Sequence, residues 1–209
     1  MSVLDVQARI AELQGLLQPP PAATPATISG GPPTAFQTQL DAAAGPWSAT
    51  GATGVASAPS GGTSAGQAML NLVRGEVGVA EQPPGSNDAP RIAQYRQATA
   101  GSGVGPWCAY FVSWAARSVG APLGEQGQGF GSVEQVWDWA QRSGKAIPAG
   151  TQPPQTGDLI VWGGRHIGMV ESVDPDGTIH TIEGNSSDRV SQRTYGPDGG
   201  GATGFVRLG

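Results

Sequence analysis

The chain has 209 residues, enough for one domain with appendages or two small domains, and its 34 glycines, 18 prolines and 13% charged residues mark part of it as linker. A net charge of −5 argues against nucleic acid or an anionic surface as the main partner. No apolar run approaches the ~20 residues of a membrane span, the single cysteine excludes an intrachain disulfide, and the opening MSVLDVQARIAEL has neither the basic start nor the continuous apolar stretch of a Sec signal peptide.

Residues 2–18 read as a helix. Ser2 can cap it, Asp5 suits the first turn, and Val3, Val6, Ile10, Leu13 and Leu17 form one apolar stripe that stops at Pro19, Pro20 and Pro21. A helix this short needs something to bury its stripe. Either it packs on its own domain or it docks on a protein partner. Residues 19–63 are rich in Pro, Ala, Gly, Ser and Thr and read as linker, with a second short contact helix conceivable around Phe36 and Leu40.

The packed domain is expected over residues 64–209. SAGQAMLNLVRGEVG predicts a helix of about three turns with Met69, Leu72 and Val73 on one face, followed by the loop EQPPGSNDAP and a short helix in RIAQYRQAT. A third helix, from about Pro106 to Ser118, turns Phe111, Trp114 and Ala115 to one side and ends at Gly120 and Pro122. Ser132 and Gln135 form a capping-box pattern for a fourth, ending at Gly144. The period then shortens. GDLIVWGG, RHIGMVESVD, GTIHTIEGN, RVSQRTYG and TGFVRLG are β-rich segments parted by turns, with DPDG closing a hairpin between the second and third. Helices first and an antiparallel sheet afterwards make an α+β fold.

Cys108, the only thiol, sits in GPWCAYF at the start of the third helix. A helix N-terminus favours thiolate, the nucleophilic form, through its unpaired N–H groups and dipole. Pro106 suits the first turn, and the Cys108 N–H is placed to stabilise an oxyanion. The plainer reading of a lone cysteine is a small buried hydrophobe. A nucleophilic role requires a base, and the chain offers His166 and His180. His166 lies between Gly164 and Gly168, small neighbours that leave room for substrate. Glu183 and Asn185 in TIEGN share a strand face if the alternation is regular, while His180, three residues from Glu183, faces the other way. His166 is therefore the expected base and His180 a sheet residue, while Glu183 and Asn185 are both candidates for the group that orients the imidazole.

These segments, PWCAYFVSWAAR, GDLIVWGGRHIGMVESV and TIEGNSSD, resemble the CHAP family, the cysteine- and histidine-dependent amidohydrolases and peptidases, over about two-thirds of the chain from Ser64 on. The resemblance implies a papain-like CHAP fold with helices packed on a small antiparallel sheet. It implies Cys108 as nucleophile, His166 as base, Glu183 as its orienting partner and Asn185 as a fourth polar member. The implied activity is hydrolysis of an amide bond in peptidoglycan, as an N-acetylmuramoyl-L-alanine amidase or an endopeptidase of bacterial or phage origin. The alternatives are a non-catalytic tethering subunit of a wall-spanning machine, and a cysteine hydrolase acting on a protein. Trp107, Ser86, Asn87 and Trp162 are the expected substrate-binding residues, Trp107 by keeping part of the site dry. No cofactor is expected, and no metal, because no dense Asp-x-Asp run precedes the cysteine. With no signal peptide or wall-binding repeat evident, delivery to the wall by a phage or a specialised export machine is expected, with the N-terminal stripe as its contact.

Overall fold

The computed structural model describes residues 61–209. The expected docking helix, and the linker up to residue 60, lie outside the described residues.

Among the described residues four helices come first: α1 (Ser64–Arg74), α2 (Pro90–Arg96), α3 (Cys108–Ser118) and α4 (Val133–Arg142). Six strands follow: β1 (Ala146–Pro148), β2 (Leu159–Trp162), β3 (His166–Val173), β4 (Ile179–Glu183), β5 (Ser191–Tyr195) and β6 (Gly204–Val206). All pairs are antiparallel, in the order β1-β6-β2-β3-β4-β5. This is the α+β, papain-like architecture expected from the sequence. β1 has no periodic signature, and its pairing with β6 alone makes it a strand.

Local chemistry explains most boundaries. Thr63 caps α1 by accepting from the Gly66 N–H at 3.0 Å. Gly62, just ahead of α1, lies against Thr156, where a Cβ would sit 2.0 Å from the carbonyl oxygen. α3 closes at Gly120, whose φ of 77° no β-branched residue tolerates, with the Ala121 N–H returning to the Ala116 carbonyl at 2.9 Å. α4 closes the same way at Gly144 (φ 69°), with Lys145 N–H on Ala140 O at 2.8 Å. At the start of α4, Ser132 is the cap residue but its side chain makes no capping bond, so the Ser132–Gln135 pattern does not operate as a capping box.

The sheet buries both faces. Leu159, Val161, Ile167, Met169, Ile182 and Val206 meet the helices in the main core. Ile160, Trp162, Val170, Ile179 and Phe205 form a second, smaller core on the opposite side. β2, LIVW, is therefore buried at all four positions. Its continuous apolar run carries that signature better than an alternating one would. The second face is covered by the segment around Gly199, whose carbonyl accepts from the Trp162 indole at 2.8 Å.

α3, which carries the cysteine, is clamped by aromatic packing. Tyr95 of α2 lies 5.7 Å from Trp107, 5.1 Å from Phe111 and 4.9 Å from Trp114 between ring centroids. Fully burying a side chain of this size is worth roughly 1.5–3 kcal/mol, so α2 and the start of α3 are held as one unit. Behind them, Glu76 accepts from the Tyr95 hydroxyl at 2.5 Å and pairs with Arg91.

Candidate active site

Cys108 is the first residue of α3, and Trp107 is the cap. Pro106 thus precedes the helix instead of occupying its first turn. The N–H groups of the first turn have no intrahelical partner, so Cys108 sits where they and the helix dipole act most strongly. The thiol is buried to 4% exposure.

His166 opens β3, directly opposite Trp162. The two rings stack at 5.5 Å and 25°. The imidazole Nε2 lies 2.8 Å from Glu183 Oε2. With that nitrogen committed to the carboxylate as donor, Nδ1 is the one left for the cysteine. Burial works to lower the His166 pKa, but hydrogen bonding to Cys108 and to Glu183 outweighs it and raises the value to about 9. The ring is therefore an imidazolium at neutral pH, beside the sulfur.

Glu183 ends β4 at 1% exposure. Besides His166 it accepts from the Thr181 hydroxyl (2.6 Å) and the Tyr195 hydroxyl (2.8 Å), both on Oε1. Burial alone would raise its pKa. The His166, Thr181 and Tyr195 bonds overcome this and leave it below the ordinary value. Tyr195 moves the other way: burial and the Glu183 carboxylate raise its pKa. Thr181 follows from strand alternation with Glu183. Tyr195 has no sequence signal of its own, since it reaches the site only through the β4–β5 register.

The space beside Gly168 belongs to Glu183 rather than to substrate. A Cβ on Gly168 would lie 2.6 Å from Glu183 Cγ, so the missing side chain is what lets the carboxylate cross β3 to His166. His180 alternates away as expected. Its Nε2 pairs with Asp174 of the hairpin turn at 2.9 Å and its Nδ1 lies 3.2 Å from the Thr194 hydroxyl.

Asn185 is close to the site but not by strand alternation. β4 ends at Glu183, and Asn185 occupies the turn beyond it at φ 58°. Its partners orient the amide so that Nδ2 donates to Glu81 Oε1 (3.1 Å) and Oδ1 accepts from the Trp107 backbone N–H (3.1 Å). It therefore contacts the cap of the cysteine helix.

The expected substrate contacts change character. Trp107 is completely buried, donating its indole N–H to Glu81 Oε1 at 2.9 Å, so it supports the helix start and offers no surface to substrate. Trp162, 5% exposed, is the platform under His166. Ser86 and Asn87 are half-buried in the 81–88 loop. The Ser86 hydroxyl accepts from Asp88 N–H (3.2 Å), and Asn87 N–H donates to Glu81 Oε2 (2.7 Å).

A thiol at a helix N-terminus, faced by a His–Glu pair from the sheet of an α+β fold, defines the papain-like class. Residues 99–185 match the family model of the CHAP domain. The matched segment runs through Cys108, His166, Glu183 and Asn185 and leaves out the 81–88 loop and β5. Among solved structures, the peptidoglycan hydrolase RipB from Mycobacterium tuberculosis is similar over 68% of this chain at 18% identity and a TM-score of 0.41. The similarity spans 64% of that chain, less than two-thirds of its length. No curated protein matches.

Proposed function

We propose that this protein is a cysteine-dependent peptidoglycan hydrolase that cleaves an amide bond. The observation that carries the reading is the juxtaposition of Cys108, at the first position of α3, with an imidazole raised to about 9 and tied to a buried carboxylate. Peptidoglycan as substrate rests on the CHAP family match.

In this reading the Cys108 sulfur attacks the amide carbonyl. The developing oxyanion is met by the backbone N–H of the first turn of α3. His166 gives its Nδ1 proton to the departing amine as the C–N bond breaks, leaving a thioester on Cys108. The neutral imidazole then takes a proton from water, whose oxygen attacks the thioester, and the acid product and free thiol are released. Glu183 keeps Nε2 protonated and the ring oriented throughout, fixed in turn by Thr181 and Tyr195. Residues 1–60 serve as a partner-docking helix and linker that bring the hydrolase to the cell wall.

Digestion of purified sacculi, followed by mass spectrometry of the released fragments, tests the reading. A new L-alanine amino terminus on the stem identifies an amidase, and a new terminus within the stem or cross-bridge identifies an endopeptidase. Intact sacculi after incubation with freshly reduced protein would exclude both.

A further inference from the structure

Glu81 is buried to 3% exposure and has no part in the chemistry just described. Oε1 accepts from the Trp107 indole N–H at 2.9 Å and from the Asn185 amide at 3.1 Å, and Oε2 accepts from the Asn87 backbone N–H at 2.7 Å. Its own N–H is tied to the Asp188 carbonyl at 2.8 Å. Three segments thus converge on one carboxylate: the 81–88 loop, the turn after β4, and the cap of the cysteine helix. Asn185 closes the circuit by accepting from the Trp107 backbone N–H, immediately before Cys108.

Both oxygens of Glu81 are needed as acceptors. A carboxamide would turn an N–H toward at least one donor, leaving buried polar groups facing each other unpaired. A buried acid so placed costs desolvation that its three bonds must offset, and the network it builds bears directly on the nucleophile's helix turn.

We propose that Glu81 is a positioning residue for the nucleophile. It locks Trp107 and Asn185 together, and so fixes the first turn of α3 and the direction of the Cys108 side chain. The inference rests on the reading of Cys108 as the nucleophile.

The test compares full-length wild type with Glu81→Gln, Trp107→Phe and the double variant. Three quantities are measured: sacculus hydrolysis, the rate of Cys108 alkylation by iodoacetamide, and the thermal unfolding midpoint. Glu81→Gln is expected to lower kcat by about tenfold to a hundredfold, as a displacement near 1 Å at a reacting group does. KM should stay within about twofold, alkylation should slow severalfold, and the protein should remain folded at the assay temperature. The double variant should be no worse than the poorer single, because both changes sever the same link. Unchanged kcat and alkylation in Glu81→Gln would overturn the proposal. So would a loss that equals the unfolded fraction, or single effects that multiply in the double variant. Wild type inactive on sacculi would overturn the hydrolase reading instead, and the alkylation rates would still decide the role of Glu81.

Discussion

Gly168 and Glu183 occupy the same space on the sheet: the Glu183 side chain runs where a Gly168 side chain would begin, 2.6 Å from Cγ and 3.4 Å from Cδ. Glu183 cannot give way cheaply, because it is buried and bonded to three partners. Gly168→Ala should therefore push the carboxylate off His166. Kinetics on sacculi should show a loss of at least about tenfold, with an overpacking cost of roughly 1–3 kcal/mol in unfolding. Gly164→Ala is the control, since its nearest neighbour would be Glu134 Cβ at 3.8 Å. Equal effects from the two substitutions would contradict this account of Gly168.

Cys108→Ala should abolish turnover and leave the fold intact, with a stability change of about 1 kcal/mol typical of small core substitutions. His166→Ala should reduce the rate by about 10²–10⁴, the usual contribution of a positioned acid–base group. His180→Ala removes solvent-accessible contacts with Asp174 and Thr194, the ion pair among them worth less than about 1 kcal/mol, and activity should persist. A dead His180→Ala enzyme with active His166→Ala would reverse the assignment of the base.

The pH dependence of stability has two limbs. His166 is raised from 6.5 to about 9, so its contribution is complete below pH 6.5 and disappears as the pH rises through about 9. Glu183 is depressed below 4.5, so its contribution is present above that pH and is lost as the pH falls through the lower folded value. Tyr195→Phe removes one bond to Glu183, and should move the acid loss to higher pH in unfolding curves. Cys108→Ala removes one of the two groups that raise the imidazole, leaving Glu183, and should lower the His166 midpoint followed by proton NMR. A midpoint near 6.5 in wild type would argue against the Cys108–His166 pairing.

For the N-terminal segment, deletion of residues 1–60 should leave the melting temperature and sacculus activity unchanged while partner binding or wall localisation is lost. Gly62 and Thr63 are kept because both are built into the domain. Ile10→Asp with Leu13→Asp should reproduce the loss by charging the centre of the stripe. A melting temperature several degrees lower after deletion would instead indicate packing on the hydrolase, and a concentration-dependent mass in ultracentrifugation would indicate self-association.

The sequence by itself determined the features that local periodicity encodes. The helix that presents Cys108, the change to short strands after Gly144, and the turning of His180 away from Glu183 all follow from side-chain repeats of 3.6 and 2. The DPDG hairpin follows from turn chemistry. Tertiary structure decided what depends on register and on where strands stop. Gly168 faces Glu183 because Met169 pairs with Ile182 one step along the same ladder. Asn185 reaches Trp107 because β4 ends at Glu183 and the chain turns at φ 58°. Tyr195 meets the carboxylate from a strand further out. Glu81, many residues before the cysteine, becomes part of its helix cap. Both faces of β2 are buried because the segment around Gly199 folds over the second one. These are contacts between residues far apart in the chain. A local pattern supplies the faces and the polar groups, and which distant face or group each one meets is set only when helices, strands and loops pack together.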